Sequence, residues 1–103
     1  MNNFVLSKAG IPIRLTDERW MHITEEHCEL AGFHLEVLET IANPFKIFAG
    51  HQGELIAVRE IEKDKFLAVV YREFEKDGFV ITAFLTRRFK FFMRRKLIWS
   101  SSP

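Results

Sequence analysis

The histidines His22 and His27 are suited to acid–base chemistry, because imidazole titrates near neutral pH. They lie five residues apart on a predicted helix, about 140° around its axis, so they cannot bind one metal ion as an i, i+4 pair would. Cys28 follows His27 directly, and adjacent helix residues point apart, so the two do not form a nucleophile–base pair. Each histidine could act in catalysis. Alternatively, His27 could bond the backbone in the core and His22 could be solvated among glutamates.

Polar side chains also occur in predicted strands, at positions that packing alone does not favour. Thr82 and Thr86 alternate with apolar residues, so both lie on one face of their strand. A two-residue turn at Asp77-Gly78 would pair Glu73 with Thr82 and place Tyr71 on the same face. Such hydroxyl groups can donate hydrogen bonds to a phosphate. Ordinary β-propensity is the alternative explanation for the threonines.

Arg59 and Arg72 lie near the ends of their predicted strands. On the register set by that turn, both fall on the opposite face from Thr82. A register slip or a bulge would reverse this arrangement.

The last seventeen residues carry six positive charges and no negative ones, whereas the rest of the chain sums to −5. Phe89, Phe91, Phe92 and Trp99 alternate with these charges, and the combination offers phosphate contacts and stacking faces to a nucleic acid. The alternative is a solvated amphipathic tail that packs its aromatic side chains on the core. We call residues 87–96 the basic segment. Its predicted RNA-binding residues are Arg87, Arg88, Lys90, Arg94, Arg95 and Lys96.

Length and composition indicate one domain. A chain of 103 residues with 48% apolar residues can bury one core, so residues 1–103 are assigned to a single domain. One cysteine excludes an internal disulfide and indicates a reducing compartment. The N-terminus shows no signal-peptide pattern, and no apolar run approaches the ~20 residues that span a bilayer. We expect a cytoplasmic location and no membrane partner. No acid–histidine group has ligand spacing, so we expect no metal and no cofactor.

Two helices are predicted in the first half of the chain, after residues 4–14, which could hold a short strand or an arm. Thr16 is a suitable N-cap for the first helix, and Gly32 is a suitable stop. Trp20 and Ile23 lie on its predicted core face. The second helix is predicted over Leu35–Ala42.

The pattern then changes to β-branched and aromatic segments of five to seven residues, joined by short turns. They predict four strands, at Phe45–Ala49, Leu55–Ile61, Phe66–Arg72 and Phe79–Leu85. From residue 87 onward a last amphipathic helix is predicted, whose inward residues are Phe89, Phe92, Met93 and Leu97. The predicted fold class is α+β, with N-terminal helices packed on a four-stranded antiparallel sheet and a C-terminal basic amphipathic helix.

Four stretches resemble small phage- and toxin-associated nuclease domains of the barnase/EndoU/colicin/RelE-like group. They are RWMHITEEHCEL (Arg19–Leu30), VLETIANP (Val37–Pro44), VVYRE (Val69–Glu73) and VITAFLT (Val80–Thr86). The resemblance covers roughly residues 14–99, and the basic segment is similar to the final helix of the related BrnT and RelE toxins. One departure is His27-Cys28-Glu29, where the group would have His-Pro-Glu.

This resemblance implies metal-independent cleavage of RNA. The 2′-hydroxyl is the nucleophile once a general base takes its proton, a general acid protonates the leaving 5′-oxygen, and positive charge stabilises the phosphorane. The residues that we assign to these roles are His22 or His27 as acid or base, Arg59 with Arg87 or Arg88 on the phosphate, and Thr82, Thr86 and Tyr71 as donors.

Three hypotheses about function follow. The first is a cytoplasmic endoribonuclease, either the toxin of a toxin–antitoxin pair or a phage-linked nuclease, whose basic segment docks an acidic antitoxin protein. The second is a non-catalytic RNA-binding or partner-binding domain on the same scaffold. The third is a membrane-surface protein that uses the basic aromatic tail.

Overall fold

A computed structural model of the protein describes residues 3–101, which form a single mixed sheet with helices packed against it. Over this range the strands are β1 (Phe4–Leu6), β2 (Pro12–Arg14), β3 (Lys46–Ala49), β4 (Leu55–Glu62), β5 (Lys65–Glu73), β6 (Gly78–Thr86) and β7 (Leu97–Ser100). Their order in the sheet is β1-β2-β6-β5-β4-β3-β7, and the sheet curves into a half-barrel. β2 runs parallel to β6, and the other neighbouring pairs are antiparallel.

Two α-helices and a 3-10 turn connect β2 to β3. Helix α1 spans Asp17–Glu26, and the Arg19 N–H donates to Thr16 Oγ1 at 3.1 Å, which confirms the predicted N-cap. The 3-10 turn Cys28–Leu30 follows, so the α-helix ends before the predicted stop. Helix α2 spans His34–Ala42.

The predicted fold class is wrong in the number of strands in the sheet and in the relative direction of one strand pair. The four predicted strands are present as β3 to β6, each within one residue of its predicted bounds. Strands β1, β2 and β7 extend this sheet within residues 3–101, and the parallel β2–β6 pair makes it mixed. β2 pairs with β6 and β7 pairs with β3, both distant in the sequence, and local patterns do not show such pairings. β1 joins the sheet edge as the hairpin partner of β2.

The predicted C-terminal amphipathic helix is also wrong. Residues Phe89–Arg94 form a 3-10 helix, and the chain then extends into β7 against β3. A 3-10 helix has about three residues per turn, so Phe89 and Phe92 both point at the sheet. Met93, predicted to face inward, is 67% exposed.

The β5–β6 register differs from the predicted one at the turn and again at a bulge. Glu73 pairs with Gly78, not with Thr82, and the loop between these strands contains four residues, Phe74–Asp77. A register shift between Val70 and Tyr71 then leaves one extra residue in β6. A Cβ at Gly78 would overlap the Arg72 carbonyl oxygen, so the backbone approaches too closely there for a side chain.

The sheet buries a different cluster on each face. The helix face packs against α1 and α2 through residues that include Leu67, Val69 and Tyr71. On this face Ile23 is buried as predicted, whereas Trp20 is only partly buried, with its ring 5.2 Å from that of His34. The open face carries a second cluster, which the 3-10 helix covers. Its core residues are Phe48, Ile56, Val58, Ala68 and Phe92.

Candidate functional site

The predicted site residues lie in several different places. His22 projects from the outer surface of α1, is 61% exposed, and places its Nε2 3.4 Å from Glu26 Oε1. It lines a separate depression together with Thr16 and Arg19. The structure therefore does not bring His22 to the threonines or to the basic segment.

His27 lies at the C-terminal cap of α1 and is half-buried. Its Nδ1 is 3.6 Å from Glu29 Oε2, and its ring centroid is 6.5 Å from that of Phe84 on β6. Phe84 belongs to the open-face cluster. Of the two predicted histidines, His27 is the one that contacts a residue of the open face.

Arg59 and Tyr71 belong to the helix face. Arg59 Nη1 is 3.8 Å from Glu39 Oε1 on α2. Tyr71 is fully buried, and its hydroxyl has no hydrogen-bond partner among residues 3–101. Burial, and then the charge of Glu73, raise the pKa of Tyr71 above its ordinary value. Glu73 itself accepts a hydrogen bond from Ser7 Oγ. The expected common surface of Tyr71, Glu73 and the threonines is therefore wrong.

The threonines lie on the open face, because Thr82 pairs with Val70 and Thr86 pairs with Phe66. The bulge also turns Arg72 to this face, since Arg72 pairs with Phe79 while Tyr71 next to it points to the helices. Thr86 Oγ1 accepts the N–H of Arg88 at 3.0 Å. This bond fixes the start of the basic segment at the end of β6.

A groove of about 410 Å³ crosses the open face between the β3–β4 loop and the basic segment. We call it the phosphate groove, because it adjoins the basic segment, for which the sequence predicts phosphate contacts. The lining residues that carry charge or can donate a hydrogen bond are His51, Glu54, Thr86, Arg88 and Arg95. Apolar side chains form the rest of its walls and include Ile56, Phe84, Phe91 and Phe92.

Glu54 is the acidic side chain that lines this groove, and its surroundings lower the pKa of its carboxyl. The Gln52 N–H donates to Glu54 Oε1 at 2.7 Å. Backbone N–H groups of Gln52 and of Glu54 itself lower the pKa of this carboxyl, and the charges of Arg72 and Arg95 lower it further. The carboxylate is therefore ionised at neutral pH.

The two arginines that act on Glu54 both lie against backbone at or next to the β3–β4 loop. Arg95 Nη1 donates to the Ala49 carbonyl at 3.5 Å. A Cβ at Gly53 would lie 3.2 Å from Arg72 Nη1, and Gly53 has φ +89°, so glycine lets the guanidinium approach here. The site thus combines fixed positive charge, one carboxylate and the exposed imidazole of His51.

The sequence does not predict His51, Glu54 and Arg72 as a group, because the segment between the predicted strands Phe45–Ala49 and Leu55–Ile61 is interpreted there only as a short turn. A signal was present, because His51 and Glu54 lie on either side of Gln52-Gly53 in a short loop between strands. Loops that a rigid sheet positions are frequent locations for functional residues.

No protein-family model, curated protein or solved structure matches this chain. The resemblance to the nuclease group stays a prediction. Within residues 3–101, no group of three His, Cys, Asp or Glu side chains is placed to hold a metal ion. Over the same range, no helix has the length and apolar character needed to cross a bilayer.

Proposed function

We propose that this protein is an endoribonuclease whose substrate backbone lies in the phosphate groove. The observation that carries the proposal is the groove that Glu54, His51, Arg88 and Arg95 line together, with Arg72 close enough to lower the pKa of Glu54. Paired arginines bind phosphate through bidentate hydrogen bonds and stabilise the charge of a phosphorane. A carboxylate and an imidazole supply the two proton-transfer groups that RNA cleavage needs.

The proposed reaction uses the nucleophile that RNA already contains. Glu54 takes the proton of the 2′-hydroxyl, and the 2′-oxygen forms a bond to phosphorus. The bond from phosphorus to the 5′-oxygen breaks, and His51 in its protonated form gives a proton to that oxygen. The products are a 2′,3′-cyclic phosphate and a free 5′-hydroxyl, and Arg88 and Arg95 hold the phosphate throughout. The proposal requires no metal for this reaction.

Cleavage of total RNA in excess EDTA tests this proposal. We expect cleavage to persist and to leave 2′,3′-cyclic phosphate ends. We expect Glu54→Gln and His51→Ala each to lose on the order of 10²-fold in rate, the usual contribution of a general acid or base. His22→Ala is the matched control, because His22 is an exposed histidine away from the groove, and it should keep full activity. Loss of cleavage in EDTA, with recovery in magnesium, would contradict the mechanism.

His27→Ala belongs in the same experiment. Its ring contacts Phe84, which lines the phosphate groove. If this variant loses activity while His51→Ala does not, the acid is His27, as the sequence analysis allowed.

Non-catalytic RNA binding is the second candidate function, and one observation favours it. The depressed pKa of Glu54 makes this carboxylate a weak base, and its Oε1 already accepts a backbone N–H. A protein that binds RNA tightly and releases no cyclic-phosphate ends would establish this function.

We further propose a cytoplasmic protein whose activity is toxic or phage-linked and is neutralised by an acidic antitoxin. The basic segment contains six of the fifteen basic residues of the chain and no acidic ones, so an acidic segment that folds on binding would complement its charge. The exposed free thiol of Cys28 suits a reducing compartment. Growth arrest on expression, relieved by an acidic protein encoded beside this one, would support the toxin function.

A further inference from the structure

A second cavity, of about 740 Å³, lies beside the phosphate groove. Arg88 and Phe91 line both cavities, so the two are contiguous. Its volume is within the range of pockets that hold small organic ligands. We call it the aromatic cavity.

The floor of the aromatic cavity is made of rings fixed by packing. Phe89 lies with its centroid 4.9 Å from that of Phe66 and 6.2 Å from that of Phe92, which is 5% exposed. Phe91 differs from these rings because it is 62% exposed. The Arg88 guanidinium carbon lies 5.9 Å from the Phe91 ring centroid, so a cation and an open aromatic face occupy the boundary between the two cavities.

The charge of the aromatic cavity favours an anionic occupant. Four cationic side chains line it, against one acidic side chain, Asp64. The cations are Arg87, Arg88, Lys90 and Arg94. An occupant that combines a planar apolar part with an adjacent negative charge would complement both the rings and the cations.

We propose that the aromatic cavity is a nucleobase subsite, in which an unpaired base stacks on Phe91 while the adjoining phosphate lies on Arg88 in the phosphate groove. Single-stranded nucleic acid has this combination of parts, with a planar base on every charged backbone unit. The inference rests on the RNA-binding part of the proposed function and not on cleavage. It assigns base contact to Phe91 and phosphate contact to Arg88.

The test is a double-mutant cycle between the protein and the nucleic acid. Binding of a fluorescein-labelled single-stranded 2′-O-methyl RNA of about eight nucleotides is measured by anisotropy, alongside the same strand with abasic sugars at its central positions. The 2′-O-methyl group removes the nucleophile, so cleavage does not enter the measurement. We expect Phe91→Ala to weaken binding of the intact strand by about tenfold, the size of one base–aromatic stack, and to leave abasic binding unchanged.

Phe4→Ala is the matched control, because Phe4 is an exposed phenylalanine on β1 at the other end of the sheet order. It should bind both strands as the wild type does. Phe91→Tyr keeps the stacking face and should restore binding of the intact strand. Thermal melts of each variant show that the fold is retained.

The outcomes separate this inference from the nuclease proposal. Equal losses on intact and abasic strands, or no loss on either, would overturn the base subsite even if the protein cleaves RNA. A base-dependent loss without any cleavage would support the subsite and contradict the nuclease. If neither strand binds, and Phe91 instead controls binding to anionic phospholipid vesicles or to an acidic peptide, the cavity serves that partner and the inference is wrong.

Discussion

The neighbours of Glu54 determine the pKa of its carboxyl. Its carboxylate accepts a backbone N–H from Gln52 and lies in the field of Arg72 and Arg95. Each interaction stabilises the ionised form over the protonated form, so each lowers the pKa of this group below its ordinary value of 4.5. The same interactions couple the protonation of Glu54 to the stability of the fold.

The stability contribution of Glu54 should therefore depend on pH in one direction. A carboxyl whose pKa is lower in the folded state stabilises the protein above its ordinary pKa, and loses that contribution as pH falls through the folded value. We expect the wild type to have a higher Tm than Glu54→Gln at pH 7, and the difference to shrink below the ordinary value of 4.5. Thermal melts at a series of pH values measure this. Glu25→Gln, at an exposed position of α1, is the control, and a gap that widens in acid would contradict the prediction.

At the scale of elements, the 3-10 helix of the basic segment determines which of its phenylalanines are buried in the core and which are exposed. Phe92 lies inside the open-face cluster, and its ring stacks with that of Phe48 at 5.8 Å. Phe91, next to it in sequence, is turned to solvent. Of two neighbouring phenylalanines, Phe92 therefore packs in the core, and Phe91 is left exposed for the base contact that we propose.

Substitution of these two neighbours should have very different effects on stability. Phe92→Ala removes a nearly buried ring and should lower the free energy of unfolding by about 3 kcal/mol. Phe91→Ala removes a mostly exposed ring and should change it by less than about 0.5 kcal/mol. Urea titrations of both variants measure the difference. Comparable losses would mean that the 3-10 helix packs on the sheet in another way.

At the scale of the whole molecule, the positive charges that are concentrated after residue 86 form a basic surface beside the phosphate groove. Arg88 and Arg95 line this groove, whereas Arg87 and Arg94 line the aromatic cavity. Release of counterions from a bound nucleic acid makes affinity fall with salt in proportion to the number of phosphate contacts.

The salt dependence of RNA binding should report these contacts directly. Each arginine that contacts a phosphate of a single strand contributes about 0.7 to the slope of log affinity against log salt. We expect Arg88→Gln combined with Arg95→Gln to flatten the slope by about 1.4. Adding Arg87→Gln and Arg94→Gln should flatten the slope by about 3 in total if all four arginines contact phosphate. Arg14→Gln combined with Arg19→Gln is the control for the double variant, because these two arginines lie outside both cavities and the same number of charges is removed. An unchanged slope in the quadruple variant would show that the basic segment is only a solvated surface.

Much of the secondary structure follows from the sequence alone, because its causes are local. Thr16 caps α1 through its own hydroxyl, and alternation of apolar residues predicts β3 to β6 within one residue. The excess of positive charge after residue 86 is likewise a property of the sequence. A charged cluster of this kind needs no fold to be recognised.

The tertiary structure decided the size of the sheet, the faces of its residues and the composition of the site. Strands β2 and β7 join the sheet through pairing with the distant strands β6 and β3, and the free energy of such contacts has no local signature. Strand β1 then adds to the sheet as the hairpin partner of β2. One extra residue in β6 moved Tyr71 and Arg72 to faces opposite to those predicted, since side chains alternate with a period of two. Glu54 and Arg95 are far apart in sequence, and they come together because β3 pairs with β7 on one side and with β4 on the other. The groove lies where these long-range pairings meet, between the β3–β4 loop and the basic segment.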